Sequence, residues 1–233
     1  LTLFAGDTPS EPTTLEELLA RARSIGGHTV FEIATRAGRE VPVDLRRNKG
    51  FIGHLAEWAL GAPSHTKAAP DFEALGVELK TVPLSASGVP RESTFVCTID
   101  LRTIANTDWA CSALKHKLQR VLWIPIEADK SVPLAARRFG APLLWTLGGE
   151  EEALLRADWE HLVELISRDD LDRITAHLGT YLQVRPKAAH SRERRRVVDR
   201  DEVPTDGKPR GFYLRRNFTQ RLFSPQNTGP SGG

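Results

Sequence analysis

The chain has 233 residues, of which 40% are hydrophobic and 27% charged. That balance fits one globular domain, or one domain in two lobes, and excludes a disordered chain. No apolar run approaches the roughly 20 residues that a bilayer crossing needs. No charged-then-apolar leader opens the sequence, so the expectation is a cytoplasmic protein with no membrane partner. Cys97 and Cys111 are too few for a disulfide scaffold or a Cys-rich zinc site. The formal net charge of +2 conceals a segregation: residues 181–221 hold 12 Lys/Arg against 5 Asp/Glu, and the remainder holds 20 against 25. Such a basic block is the footprint of a polyanion partner; a solvated loop is the plainer alternative and suits residues 191–196.

Residues 1–13 are Thr-, Ser- and Pro-rich and are expected to be flexible. Thr14 and Glu17 form a capping-box pattern, followed by Leu15, Leu18, Leu19, Ala22 and Ile25 at helical spacing, with Gly26-Gly27 as the stop. Thr29 and Glu32 repeat the box for a short second helix ending at Gly38. A third helix spans about 50–60, with Glu57 beside its apolar stripe. Residues 77–84 and 93–101 read as strands, joined through 85–90 as a hairpin. A short helix near 108–118 leads into a strand at 120–126, and another strand is expected at 141–147. Residues 150–167 form a long amphipathic helix, and a shorter one is expected at about 171–177. Strands at 180–185 and 211–214 flank the basic segment. The tail after Phe223 is Gly/Pro-rich and expected to be disordered. Helices alternating with a few strands predict an α/β or α+β fold with a mixed sheet.

The residues richest in chemistry are Asp71, Glu78 and Lys80. Strand side chains alternate, so Glu78 and Lys80 share a face while Val77, Leu79 and Thr81 take the other. Asp71, on the segment entering the strand, can converge on Glu78. Two carboxylates meeting there make a hard oxygen site for Mg²⁺. An adjacent lysine can orient a water and stabilise charge developing on a phosphodiester. A solvated Glu–Lys pair worth ~0.2–1 kcal/mol is the competing reading. The apolar context of the strand favours the chemical one, because buried charges must be paired or bind metal.

The stretches 48–61 (NKGFIGHLAEWALG), 71–83 (DFEALGVELKTVP), 94–97 (TFVC), 115–125 (KHKLQRVLWIP), 181–189 (YLQVRPKAA) and 209–219 (PRGFYLRRNFT) resemble the MutH family of DNA mismatch-repair endonucleases. They run in family order and span nearly the whole chain. The resemblance implies a restriction-endonuclease-like core with a central mixed sheet flanked by helices. It implies one endonuclease domain over 14–222, clamped as two lobes around a DNA cleft, with a catalytic lobe at about 14–126 and a recognition lobe at about 127–222. The implied activity is Mg²⁺-dependent nicking of the unmethylated strand at hemimethylated GATC sites by a bacterial monomer. One or two metal ions are implied, with Mn²⁺ or Ca²⁺ as substitutes in crystals. The implied partners are GATC-containing double-stranded DNA, MutL as activator and, through it, MutS. Carried over by motif, Asp71, Glu78, Glu57 and the Leu79 carbonyl are implied metal ligands and Lys80 the catalytic lysine. Lys49 and Lys117 are implied supporting lysines; Lys115 and Lys117 lie on opposite sides of a helix, so at most one enters the site. Arg185, Pro186 and Lys187 are the implied base-reading loop, and Tyr213 the sensor of adenine methylation. Phe95 either approaches the bases or packs in the core. Arg215 and Arg216 are implied phosphate contacts.

Two other readings share these residues: a GATC restriction endonuclease that cuts both strands unaided, and a DNA-binding module with an inactive site. No His-Glu-x-x-His or Gly-x-x-x-x-Gly-Lys pattern is present, so zinc hydrolysis and nucleotide binding have no motif here.

Overall fold

The structure, a computed structural model, describes residues 9–45, 48–63, 69–168, 170, 173–175, 177–186, 197–198, 204–205 and 209–224. In chain order its helices are α1 (Leu15–Ile25), α2 (Val30–Arg36), α3 (Phe51–Leu60), α4 (Ala113–Leu118), α5 (Gly149–Ser167) and α6 (Arg216–Leu222). Its strands are β1 (Glu78–Leu84), β2 (Thr94–Thr98), β3 (Arg120–Glu127), β4 (Leu143–Thr146), β5 (Leu182–Pro186), β6 (Val197–Val198), β7 (Pro204–Thr205) and β8 (Arg210–Leu214). Contacts divide the chain into two interleaved units, 1–92 with 119–146 and 93–118 with 147–233. Among the described residues no helix is long and apolar enough to cross a membrane.

In the first unit α3 packs on β1 of a mixed sheet of order β1-β3-β4, and α1 and α2 pack on α3. β1 and β3 run parallel, from Glu78 opposite Val121 to Leu84 opposite Glu127, and β4 runs antiparallel to β3. Val121, Leu122, Trp123 and Ile124 are all fully buried, as a central strand covered on both faces requires. The Thr29–Glu32 capping box is complete. That at Thr14 is half formed. The Thr14 hydroxyl accepts the Glu17 N–H, but the Glu17 carboxylate takes the Thr13 N–H and the Arg21 guanidinium instead.

The expected hairpin between residues 77–84 and 93–101 does not form. Its turn closes, with the Ser85 N–H on the Val89 carbonyl and Leu84 bridged to Pro90, but the strands then part. β1 pairs with β3, and β2 joins a sheet in the other unit. Pro83 and Pro90 bring no N–H to a longer ladder, and β3 offers β1 an apolar partner from Val121 to Ile126.

The second unit holds an antiparallel sheet of order β2-β8-β5, with α5 against β5 and α4 against β2. Leu182, Val184, Phe212 and Leu214 turn one face of this sheet inward. On α5, Leu155, Trp159 and Leu162 are buried, and the rings of Trp109 and Trp159 lie 5.7 Å apart. The helix expected at 171–177 is corrected: Arg173–Thr175 and His177, its described residues, contain no α-helix. Conversely α6, with Phe218, Thr219 and Leu222 buried, was not anticipated. Inside the basic segment Val197–Val198 pairs with Pro204–Thr205. The rest of 191–208, the outermost residues 1–8 and 225–233 of the expected flexible termini, and Lys187 lie outside the described residues.

Candidate active site

Asp71 is brought to β1 by a tight loop. The Phe72 N–H donates to the Val77 carbonyl and the Val77 N–H to the Phe72 carbonyl, at 2.9 and 3.1 Å. Glu73–Leu75 makes one 3-10 turn between them, and Gly76 reverses the chain at φ +61°, a conformation costly for any residue with a Cβ. Phe72 and Val77 are fully buried and anchor the loop. Its closure sets the Asp71 carboxylate beside the start of β1, where Oδ2 accepts the Leu79 N–H at 2.8 Å.

Glu78 follows on that strand at 1% exposure. Lys80, on the same face as alternation requires, donates from Nζ to Glu78 Oε1 at 2.5 Å. Glu57 enters from α3, which packs on β1. Its carboxyl is raised above the ordinary value, first by burial and next by the Asp71 carboxylate; His54 and Lys80 pull it down, and Glu78 pushes it further up. Asp71, Glu78, Lys80 and Glu57 are thus electrostatic neighbours in one unit. Lys49 is exposed two residues before α3. Lys117 belongs to the other unit, on α4, and is buried, whereas Lys115 turns to Glu152 with Nζ 3.1 Å from Oε1. The two lysines therefore diverge, as their spacing requires.

Among the described residues no three His, Cys, Asp and Glu side chains are gathered in a group that could hold a metal ion as they stand. The donor chemistry still fits a hard divalent cation. Glu57 and Asp71 are like charges crowded beside buried Glu78, and oxygen-only ligation is what Mg²⁺ takes.

The second unit assembles another group on the outward face of its sheet. Phe95 opposes Tyr213 across β2 and β8, and their rings meet edge-on at 5.2 Å. A bulge at Val96 lets both Val96 and Cys97 turn inward, leaving Phe95 half-buried beside Tyr213 and outside the core. Gly211 makes room for it: a Cβ there would lie 2.8 Å from Phe95 Cε2 and 3.0 Å from the Cys97 carbonyl oxygen. From β5, Arg185 places its guanidinium carbon 5.8 Å from the Tyr213 ring centre and donates from Nη1 to Ser93 Oγ at 2.9 Å. Pro186, the last residue of β5, is exposed.

A family model described as the DNA mismatch repair enzyme MutH matches residues 60–158. The DNA mismatch repair protein MutH of Klebsiella pneumoniae is 48% identical over 215 residues, 92% of this chain and 93% of the relative. That of Yersinia enterocolitica is 47% identical over 216 residues, 93% of this chain and 95% of the relative. That of Shigella boydii is 47% identical over 215 residues, 92% and 94% of the two. The chain belongs to the MutH family. Its helices and mixed sheet accordingly have the restriction-endonuclease-like architecture of MutH proteins.

Two features of this MutH-family chain escaped the sequence reading. Asp158 sits buried in the middle of α5 and collects the N–H groups of Thr180, Tyr181 and Leu182. Only an acid on the inner stripe of an amphipathic helix signalled it. Arg215, expected on phosphate, donates from Nη1 to the Gly179 carbonyl at 2.6 Å, and so ties the start of α6 to the segment before β5. Arg216, next along the chain, is exposed.

Proposed function

We propose that the chain is a metal-dependent DNA endonuclease of methyl-directed mismatch repair, which nicks the unmethylated strand at hemimethylated GATC sites. The observation that carries this reading is the convergence of Asp71, Glu78 and Lys80 at the head of β1, with Glu57 beside them. Asp71, Glu78, Glu57 and the Leu79 carbonyl would hold Mg²⁺. A bound ion would neutralise phosphodiester charge and lower the pKa of a coordinated water. Asp71 is pinned by the Leu79 N–H, so its position is set before any ligand arrives. Lys80 carries a positive charge on the same strand face as Glu78, where it can stabilise the charge that builds on the scissile phosphate. Lys49 and Lys117 are assigned as supporting cations.

Recognition is assigned to the face bearing Phe95, Tyr213 and Arg185, continued by Pro186 and Lys187. A guanidinium or ammonium donates to guanine O6 and N7. The half-buried tyrosine, with its phenol raised above the ordinary value by burial, is a neutral contact that accommodates an adenine amino group and resists an added methyl. Arg216 is assigned to phosphate. MutL as activator, MutS acting through it, a monomeric state and a cytoplasmic location complete the reading.

The test is a nicking assay on unmethylated, hemimethylated and fully methylated GATC duplexes, with and without MutL and Mg²⁺. Nicking of the unmethylated strand only, strengthened by MutL, is expected. Cleavage indifferent to methylation, or none under any condition, sinks the reading.

A further inference from the structure

We infer that Asp158 is a positioning residue for sequence recognition, locking the register of β5 and thereby deciding which face of the sheet carries Arg185. The inference rests on the reading of the Phe95–Tyr213–Arg185 face as the DNA-reading surface.

β5 is an edge strand, bonded to β8 on one side in the order β2-β8-β5. Leu182 and Val184 are buried on one face of it; on the other face Gln183 is buried and Arg185 is exposed opposite Gly211. A slip of one residue would turn Arg185 to the buried face and Val184 to solvent. The burial of Leu182 and Val184 already favours this register, and a fixed point outside the ladder secures it further.

Asp158 supplies that fixed point. Its Oδ1 accepts the Thr180 N–H at 2.8 Å, and its Oδ2 accepts those of Tyr181 and Leu182 at 2.6 and 2.9 Å. Three consecutive donors on one buried carboxylate leave this segment a single position along the chain. The loop wraps the carboxylate closely. Gly179 has φ +86°, and a Cβ there would sit 2.4 Å from the Leu182 carbonyl oxygen and 3.2 Å from Asp158 Cγ. From the other side the Arg215 N–H holds the Tyr181 carbonyl at 2.7 Å, Arg215 Nη1 holds that of Gly179, and Asn217 Nδ2 holds that of Thr180 at 3.0 Å. Arg185 follows Leu182 by three residues, roughly 10 Å of strand, too short a run to absorb a change of register.

The test measures binding of the full chain, in EDTA, to a GATC duplex and to a scrambled duplex of equal length. Wild type, Asp158→Asn, Arg185→Ala and the double variant are compared. The amide of Asp158→Asn keeps the shape and one acceptor oxygen but sets its NH2 against at least one of the three N–H groups. Its preference for GATC should fall about tenfold, the scale of one bidentate base contact, with scrambled-duplex affinity nearly unchanged. The double variant should be no worse than Arg185→Ala alone, because Asp158 acts through Arg185. A folded Asp158→Asn that keeps the wild-type preference, or losses that add in the double variant, overturns the inference. Exposed Asn217 gives a second handle should Asp158→Asn fail to fold: Asn217→Ala should show a partial loss with the same non-additivity, and an unchanged or additive result overturns the inference equally. A wild type with no preference for GATC sinks the functional reading instead.

Discussion

Lys80 Nζ lies 2.5 Å from Glu78 Oε1 on one face of β1, in a place where the glutamate is 1% exposed. Neither charge is an ornament of the surface. Lys80→Ala removes a cation bonded to buried Glu78, so it should lower the stability of the metal-free protein by roughly 1–3 kcal/mol at neutral pH. Denaturant titration with and without Mg²⁺ checks this, and added Mg²⁺ should restore part of the loss. An unchanged midpoint would show that the pair is not buried in solution.

Cleavage and binding should separate at Glu78. Glu78→Ala should reduce nicking by at least about 10²–10³-fold, the scale of losing one preorganised electrostatic group. DNA affinity, which the proposed function assigns to the other unit's sheet face, should stay within a few-fold. Gel-shift and nicking measurements on one preparation decide it; parallel loss of both would contradict the assignment.

Glu57 makes the metal-free protein sensitive to pH. Its folded carboxyl is raised, first by burial and next by Asp71, so the folded state prefers the protonated form. The stabilisation is fully present below the unfolded value, near 4.5, and is lost as pH rises through the folded one. In EDTA, Glu57→Gln should therefore gain melting temperature over wild type at neutral pH, and the gap should shrink toward pH 4. A gap independent of pH counts against the buried like-charge cluster.

Gly211 tests the recognition face without touching a charge. Gly211→Ala puts a methyl group 2.8 Å from Phe95 Cε2 and 3.0 Å from a backbone oxygen, so the ring must move. A cost of about 1–3 kcal/mol in stability is expected from overpacking. GATC preference should fall with it, while Tyr213→Phe should leave stability almost intact and alter only discrimination by methylation.

The juxtaposition of Asp71, Glu78 and Lys80 was legible because strand alternation is local: Glu78 and Lys80 had to share a face, and the Asp71 loop closes within eight residues. Glu57 was legible as an acid beside an apolar stripe. The partner of β1 was not, because parallel pairing with β3 joins residues more than forty positions apart and leaves no turn in the sequence. Phe95 sat between two readings until the bulge at Val96 shifted the alternation. Asp158 was invisible because its partners are backbone amides, which every sequence offers everywhere. α6 is a seven-residue helix whose Arg215 N-cap makes no side-chain cap bond, so no start signal announced it.

The association with DNA should weaken steeply with salt. The basic block of residues 181–221 implies several phosphate contacts, so affinity should drop at least about 100-fold between roughly 50 and 200 mM salt. A flat response would remove the polyanion reading of that block.

The chain passes between its two units three times, after residues 92, 118 and 146. β1 therefore finds its partner β3 only after the whole 93–118 excursion has been made. During synthesis, β1 waits without its sheet partner until residue 127 has been made. A cut after residue 92 removes residues 119–146 from the first unit, and a cut after 146 removes residues 93–118 from the second, so no pair of complementary fragments carries both units whole.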